Sequence, residues 1–190
     1  MSNKITEHKA FDKVDYSDAN LKNQKFDTCT FSHCNFNACD LSGVTFMDCT
    51  FDNCDFSLVR NKDTALKGVQ FIECKLVGFN FNDCNDFLFS VDFKGCNLSY
   101  ASFFDLKLPK TQFKNCNLEK VEFASADINE AVFDNCDFTN AIFDFTNLEK
   151  ADFYTSFNYS IDPDNNKVGK ARFSKDGVVG LLRKYNIIIE

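Results

Sequence analysis

The sequence predicts an all-β fold in which short coils stack into one elongated solenoid. Large apolar residues, the centres of a repeat, recur every five positions from Phe11 to Phe81 and again from Leu88 to Phe153. Within each run phenylalanine returns every twenty positions, and a column of six cysteines returns with the same spacing. A five-residue unit is too short to bury its apolar side chain except against neighbouring units, so the units are expected to stack.

Each unit is predicted to be a short extended segment followed by a turn. The runs CNFNA (34–38) and CDFTN (136–140) place a small residue two positions before the large one. Two such side chains point the same way in an extended chain. The other three positions are rich in Asn, Asp, Ser and Thr, which favour turns. No helix keeps a five-residue apolar period, so helix is excluded from residue 11 to about residue 155.

The ten cysteines are interpreted as buried packing residues. Nine of them lie two positions before a centre, a position that Ala or Val fills in other units, and free cysteine behaves as a small buried hydrophobe. Stacked side chains point the same way rather than toward each other, so thiols are predicted rather than disulfides. Zinc is the alternative, but the chain has no Cys-x-x-Cys pair, and His8 and His33 fit no ligand spacing. No metal or other cofactor is expected.

Two segments depart from the repeat and are candidate loops. Residues 57–65 place Asn61 at a centre, so this side is expected to be poorly packed or locally looped out. Residues 83–92 contain two additional residues, placed between Phe81 and the next centre, Leu88. Insertions in a solenoid form bulges and can carry function, and a tolerated packing defect is the alternative. The candidate loop residues are Asn61, Asp83, Asp86, Phe87 and Phe89.

The chain is predicted to have three parts, which are an N-terminal cap over residues 1–10, the repeat over 11–155 and a C-terminal module over 156–190. In the module, Ser174 is a candidate N-cap of a short helix, and three isoleucines form an apolar tail. No apolar run approaches the ~20 residues of a membrane span, and the start of the chain lacks the apolar segment of a signal peptide. The chain is therefore expected to be cytoplasmic and without a membrane partner.

The repeats resemble the pentapeptide repeat family. The runs CDLSGVTF, CTFDNCDF, CNLSYASF, CNLEKVEF and CDFTNAIF fit its pattern of A, C or V, then N or D, then L or F, then two further residues. The resemblance implies a right-handed quadrilateral parallel β-helix of about seven coils, with four units and twenty residues in each coil. The handedness is implied by the family alone.

The segment from residue 161 to residue 190 is similar to the end of the quinolone-resistance (Qnr) and microcin-immunity members of that family. The matching elements are Asp162-Pro163, Gly177, Leu181-Leu182 and the isoleucine tail. The resemblance implies a homodimer in which two β-helices join tail to tail. The residues assigned to this contact are Val178, Leu181, Leu182, Tyr185, Ile187, Ile188 and Ile189.

The same resemblance implies a rod that mimics DNA and binds a type II topoisomerase, DNA gyrase or topoisomerase IV, as in quinolone resistance or immunity to topoisomerase poisons. Residues 111–160 hold nine acids and three bases, which argues against direct nucleic-acid binding because phosphates require a basic surface. A cytoplasmic interaction module with another protein partner is the alternative. The acids assigned to the partner surface project outward on all four sides, and they are Glu119, Glu122, Asp127, Glu130, Asp134, Asp137, Asp144, Glu149 and Asp152.

An enzyme is not expected from these residues. The repeat fills the interior with its own side chains, which leaves no room for a substrate pocket of the usual size. Both histidines lie near the N-terminus, so they cannot complete a Ser/His/Asp or Cys/His set in the later coils, and no glycine-rich phosphate loop follows a strand. The predicted role is therefore binding without catalysis, with no catalytic residue.

Overall fold

The computed structural model describes residues 5–17 and 19–188, and there the chain winds into a parallel β-solenoid with four sides, as predicted. Two of the sides carry short strands, all paired in parallel. The strands are β1 (Ile5–Glu7), β2 (Ala10–Asp12), β3 (Lys25–Asp27), β4 (Thr30–Ser32), β5 (Thr45–Met47), β6 (Thr50–Asp52), β7 (Ala65–Lys67), β8 (Val69–Ile72), β9 (Val91–Lys94), β10 (Gln112–Lys114) and β11 (Val132–Asp134).

We number the four sides in chain order within a coil. The first side is the seven-stranded sheet β11-β10-β9-β8-β6-β4-β2, and the fourth side is the four-stranded sheet β1-β3-β5-β7. The second and third sides are held by single parallel bridges, such as Asn35 to Asp55 on the second and Asp40 to Arg60 on the third. Each bridge joins residues twenty apart, so one coil holds twenty residues in this part of the chain.

The phenylalanine column forms the inner face of the first side. Successive rings from Phe11 to Phe173 stack with centroids 4.7–5.5 Å apart. This distance matches the spacing of neighbouring strands, so the rings stack because the backbones do. Phe71 pairs with Phe93, which confirms that two additional residues lie in this coil and that the column stays in phase beyond them.

Tight turns close the corners of the coils, and they explain the polar residues between the centres. At the corner after Phe36, the Cys39 N–H donates to the Phe36 carbonyl over 2.9 Å, and Ala38 has a φ of 56°. A left-handed residue at this position is the geometry of a type II turn. The equivalent position recurs at nearly every corner, with Asn53, Asp63 and Asn140 among its occupants, since Asn and Asp tolerate a positive φ.

Where Cys, Thr or Ser occupies the position two residues before a centre, its side chain is a hydrogen-bond donor as well as a small packing group. The Cys54 thiol donates to the Phe31 carbonyl over 3.3 Å, and the Thr64 hydroxyl donates to the Leu41 carbonyl over 2.8 Å. Thr146 and Ser156 make the same contact, again with the residue 23 positions earlier. The interpretation of this position as purely apolar was therefore incomplete, because it also satisfies a backbone carbonyl of the preceding coil.

All ten cysteines are free and buried, as the register predicts. Burial raises the pKa of Cys39 and of Cys49 to about 11, and that of Cys84 to about 12. Only the thiolate is a good nucleophile or metal ligand. At neutral pH these three side chains are therefore protonated packing groups.

The solenoid is longer at both ends than the predicted repeat of residues 11–155. At the start, β1 pairs with β3 and places Thr6 in register with Phe26, so residues 5–10 belong to the first coil rather than to a separate cap. At the end, Arg172 bridges to Asp152 and the Phe173 ring stacks on Phe153. Phe173 lies twenty positions after Phe153, so the period continues through the connection instead of stopping before it.

Residues 57–65 do not form the loop that was expected. Asn61 is 4% exposed, and its amide donates to the Asn80 carbonyl over 2.7 Å and to the Cys84 sulfur over 3.2 Å. The coil is continuous here, with the Arg60 carbonyl accepting from the Leu41 N–H over 2.8 Å. The expectation of poor packing was wrong because the polar centre is satisfied inside the stack.

The insertion does form a bulge, but it lies later than predicted. Asn85 bridges to Ala65, so the first register runs on to Asp86, whose side chain is exposed. Leu88, predicted as a buried centre, is 65% exposed. The two added residues lie between Asn85, which pairs with Ala65, and Val91, which pairs with Val69. The half-buried Phe89 ring packs against the core beside Phe81 at 6.3 Å. A short 3₁₀ turn, Phe81–Asp83, precedes the bulge.

The C-terminal module contains two short 3₁₀ segments, Gly177–Leu181 and Arg183–Tyr185, in place of the single helix that was predicted. Ser174 has the expected capping role, since its hydroxyl accepts from the Gly177 N–H over 2.9 Å. The first segment joins the last coil through the Ile161 N–H, which donates to the Gly180 carbonyl over 3.1 Å. A side chain at Gly180 would collide with Tyr159, so glycine permits this close contact.

Candidate functional site

The nine acids assigned to the partner surface lie on the outside of the late coils and on all four sides. Register places them as predicted, with side chains that are half-buried or exposed. The first side carries Asp134 and Asp152, the second Glu119 and Asp137, the third Glu122 and Asp144, and the fourth Asp127, Glu130 and Glu149. The structure therefore brings them together as a band around the rod rather than as a single stripe.

Some of these acids are neutralised by bases of the same chain. Glu130 contacts Lys150 at 3.1 Å, and Asp152 contacts Arg172 at 2.5 Å. The contact with Lys150 lowers the pKa of Glu130. The other two acids with a basic contact are Glu119 and Asp134.

Three further acids of the band are held by hydrogen bonds to neutral groups, and these are Glu122, Asp127 and Asp137. Within the described residues, Asp144 and Glu149 have neither a salt bridge nor a side-chain hydrogen bond. Both are exposed. These two carboxylates are consequently the most available charges of the band.

The bulge creates an open groove of about 700 Å³ between the third and fourth sides. Its floor contains Cys84 and Leu106, which are 8% and 6% exposed. The side chains standing around the floor include the exposed Phe87, Leu88 and Phe104. The predicted loop residues Asp86, Phe87 and Phe89 all line this groove, whereas Asp83 and Asn61 do not.

The groove also contains residues that the sequence analysis did not single out. Phe104 follows the buried centre Phe103 by one position, where the register points side chains outward, and it is 46% exposed. Asp63 and Asp105 come from corners of two other coils and line the same groove. The sequence does show that Phe104 lies one position after a centre, which predicts an exposed ring. The register alone does not show that the bulge lies beside that ring.

The C-terminal end presents most of the side chains assigned to the dimer contact. Val178, Tyr185, Ile187 and Ile188 are exposed, whereas Leu182 is half-buried. Leu181 is also half-buried and packs against the core of its own chain. Ile189 lies outside the described residues. A set of exposed apolar groups at one end of a rod favours association through that end.

The described part of the chain contains no helix long and apolar enough to cross a membrane.

Family models match the repeat over most of its length. The model described as a pentapeptide repeat region matches residues 44–114. The model described as pentapeptide repeats in eight copies matches residues 17–53, 96–134 and 116–153. No curated protein matches the chain closely enough to be called a relative.

Solved structures of the same architecture match nearly the whole chain. A full-length structure of QnrB1, described as a plasmid-mediated fluoroquinolone resistance protein, superposes with a TM-score of 0.56 at 18% identity, covering 97% of this chain and 100% of that one. A trypsin-treated variant of QnrB1 gives a TM-score of 0.53 at 20% identity, with the same coverage. At these identities the likeness shows the fold.

Proposed function

This chain belongs to the pentapeptide repeat family, and from that premise we propose that it binds a type II topoisomerase, DNA gyrase or topoisomerase IV, on the surface that the enzyme offers to DNA. The role is binding without catalysis. QnrB1, whose fold this chain shares, is described as a fluoroquinolone resistance protein. Protection of a topoisomerase from a quinolone is accordingly the activity to test first.

The charge density of the late coils is the observation that carries this proposal. Residues 111–160 hold nine acids and three bases, a net charge of −6. Fifty residues make two and a half coils, which occupy about 12 Å of the rod at ~4.8 Å per coil. The result is one negative charge per ~2 Å, close to the one per ~1.7 Å of double-stranded DNA.

The earlier coils lack this density. Residues 1–110 hold fifteen acids and twelve bases, a net charge of −3 spread over more than five coils. The acids of the late coils also surround the rod, as phosphates surround a duplex. A basic DNA-binding surface would therefore be attracted to the late coils more strongly than to the early ones.

We also propose that the C-terminal module, residues 156–190, joins two chains tail to tail. The exposed Val178, Tyr185, Ile187 and Ile188 support this arrangement. It would bring the two late-coil bands toward the middle of one long rod. The early coils of each chain would then form the two outer arms.

A supercoiling assay with purified gyrase, with and without a quinolone, tests the topoisomerase proposal. The expected result is inhibition of supercoiling by the protein alone or restored supercoiling in the presence of the drug. No inhibition, no protection and no binding at micromolar protein would refute it. A pull-down that returned an unrelated basic protein would favour the alternative of an interaction module with another partner.

A matched pair of double variants shows whether the late band acts. Neutralising Asp144 and Glu149 (D144N with E149Q) should weaken the effect on gyrase, because these two charges are not compensated within the described chain. The control is Glu7→Gln with Asp48→Asn, which removes two exposed charges from the early coils. Equal loss in both double variants would show that net charge matters and that the late band does not.

Light scattering tests the dimer separately from the function. Tyr185→Asp with Ile187→Asp should halve the molecular mass, because charges would be buried in an apolar contact. Leu58→Asp is the control, since Leu58 is 78% exposed and lies in the early coils, well before the module in sequence. An unchanged mass in the double variant would exclude this contact.

A further inference from the structure

We propose that the groove beside the bulge binds an arginine side chain of a protein partner together with a neighbouring apolar side chain. The inference goes beyond the topoisomerase proposal, because any partner with an exposed arginine and an adjacent apolar residue would satisfy it. It is carried by the apolar surface of the groove, its uncompensated carboxylates and a cation that already lies on one of its rings.

The apolar surface is the first part of the argument. Phe87 and Leu88 are each 65% exposed, and Phe104 is 46% exposed beside them. Clustered exposed apolar groups mark interaction sites more often than scattered ones.

The charges around the groove select the chemistry of the occupant. Asp63, Asp86 and Asp105 line it and make no salt bridge with any residue that the structure describes, and Lys107 is the single base among the lining residues. The lining residues therefore carry a net charge of −2, or −1 when the Lys67 ammonium that lies over the Phe87 ring is included. Such a groove attracts a cation and repels phosphate, so nucleic acid is not its occupant.

A cation–π contact inside the chain shows that the aromatic wall accepts a positive charge. The Lys67 ammonium lies 4.8 Å from the centroid of the Phe87 ring. Phe104 has no such contact within the described residues and leaves its ring for a partner. Guanidinium suits this site better than ammonium, because it is planar, stacks on rings and can bond two carboxylate oxygens at once.

The size of the groove argues for more than one side chain. Sites for small ligands usually measure about 300–1,000 Å³, and this groove lies within that range. A single arginine side chain would leave the floor formed by Cys84 and Leu106 partly uncovered. An adjacent leucine or similar residue of the same partner segment would cover that floor and remove apolar surface from water.

The probe for this proposal is a fluorescein-labelled nonapeptide made of three Leu-Arg-Ala repeats. We expect saturable binding by fluorescence anisotropy, with NMR shifts confined to residues 84–89 and 104–107. Phe104→Ser and Asp105→Asn should each weaken binding about tenfold, the effect of removing a central interface residue. A peptide of Leu-Lys-Ala repeats should bind more weakly than the arginine peptide.

Two matched variants make the test specific. Phe145→Ser and Asp48→Asn change an exposed aromatic and an exposed acid that lie outside the groove lining and outside the late band, and both should leave peptide binding unchanged. Absence of saturable binding at millimolar peptide, or equal weakening by these controls, would overturn the proposal. A changed molecular mass of Phe104→Ser alone would mean that a second copy of the chain fills the groove, which would also overturn it.

The outcome is separable from that of the topoisomerase proposal. Peptide binding that persists in D144N with E149Q supports the groove whatever that double variant does in the supercoiling assay. If the wild-type protein binds the peptide but has no effect on gyrase, the topoisomerase proposal fails and the groove proposal stands. If it affects gyrase but does not bind the peptide, the groove proposal fails alone.

Discussion

Residues 57–65 and 84–90 both bring a polar side chain to a position that holds an apolar centre in neighbouring coils, yet only the second segment leaves the coil. Asn61 stays inside, where its amide donates to the Asn80 carbonyl and to the Cys84 sulfur. Asp86 turns outward, and the Phe89 ring reaches the core beside Phe81 instead. The two segments are one coil apart on adjacent sides. The different outcomes therefore arise from the side chain at the centre, Asn61 or Asp86, and from the two additional residues that follow Asp86.

The chemistry of the two side chains accounts for the difference. An amide is neutral and carries donors that a backbone carbonyl can satisfy, so its burial costs little once hydrogen bonds form. A carboxylate is charged and can only accept hydrogen bonds. Inside the stack it would lie beside other acceptors and would stay unpaired. Two additional residues after Asp86 let the chain expose the charge and still fill the space. The bulge thus allows an acid to occupy the position of a centre without being buried.

The largest effect is expected from Asn61→Asp, which makes the first segment resemble the second without the added residues. The variant places a carboxylate beside the Asn80 carbonyl, and it should lower the free energy of unfolding at pH 7 by about 3 kcal/mol or more. Urea unfolding measures this loss. Asn61→Leu is the control and should change stability by less than about 1 kcal/mol, since Asn80 O keeps the Asp83 N–H.

The pH dependence of Asn61→Asp gives a second check. Burial disfavours the charged form, so the folded-state pKa of this new aspartate should lie above the unfolded value of about 3.9. Below pH ~3.9 the group is protonated in both states and the variant should approach wild-type stability. The deficit should grow as pH rises through the interval between the unfolded and folded pKa values. A deficit independent of pH would mean that the site has rearranged to expose the carboxylate.

Phe89→Ala should have the next largest effect, because Phe89 fills the space that Asp86 leaves. A half-buried ring contributes less than a fully buried one, so the expected loss is about 2 kcal/mol. Phe87→Ala is the matched control, two residues earlier and 65% exposed, and should cost less than about 0.5 kcal/mol. The urea unfolding midpoints of the two variants measure the difference in stability. Equal losses would show that Phe89 does not support the core.

The fold could be predicted from the sequence because its cause is periodic. Phe31 and Phe51 are twenty positions apart, and any chain that stacks them also fixes the register of everything between. The same spacing extends to Phe173, which lies one period after Phe153. The polar residues between them interrupt the five-residue pattern, so the sequence analysis did not include Phe173 in the column. Thr64 and Cys54 show a finer limit, since their hydrogen bonds to the preceding coil follow from backbone geometry that a residue pattern does not contain.

The candidate site was harder to predict because it depends on where a period fails. The sequence shows two added residues between Phe81 and Phe93, but several placements keep the columns in phase. Leu88 is apolar and fits a centre, so pattern alone favours it over Phe89. The choice depends on the free-energy cost of burying the Asp86 carboxylate, which a residue pattern does not contain. The neighbour of the bulge, Phe104, could then be identified only in three dimensions.

Regularising the second segment should have a smaller effect than either disruption. Replacing Asp86 with leucine and deleting Phe89 and Ser90 restores an uninterrupted five-residue period from Cys84 to Phe93. The free energy of unfolding should change by about 1 kcal/mol or less, because a buried leucine replaces the contribution of Phe89. The variant should also lose binding of the Leu-Arg-Ala peptide. Failure of this variant to fold would show that the bulge has a structural role beyond exposing Asp86.

The smallest effect is expected at Asp40, whose side chain connects residues 57–65 to the preceding coil. Its carboxylate accepts from the Ser42 N–H over 3.1 Å and contacts Lys22 at 2.9 Å and Arg60 at 3.4 Å. The hydrogen bonds from Ser42 and then Lys22 lower the pKa of Asp40 to about 2. These contacts are close to solvent, so Asp40→Asn should cost less than about 1 kcal/mol at pH 7.

The sign of the pH dependence follows from the depressed pKa. The unfolded chain binds a proton at Asp40 near pH 3.9, before the folded chain does. The stabilisation is therefore complete above that pH and is lost as pH falls through about 2. Wild type and Asp40→Asn should differ by a constant amount above pH ~5 and converge toward pH 2. If the difference instead grows on acidification, the carboxylate does not tie residues 57–65 to the preceding coil, and the order of that segment rests on Asn61 alone.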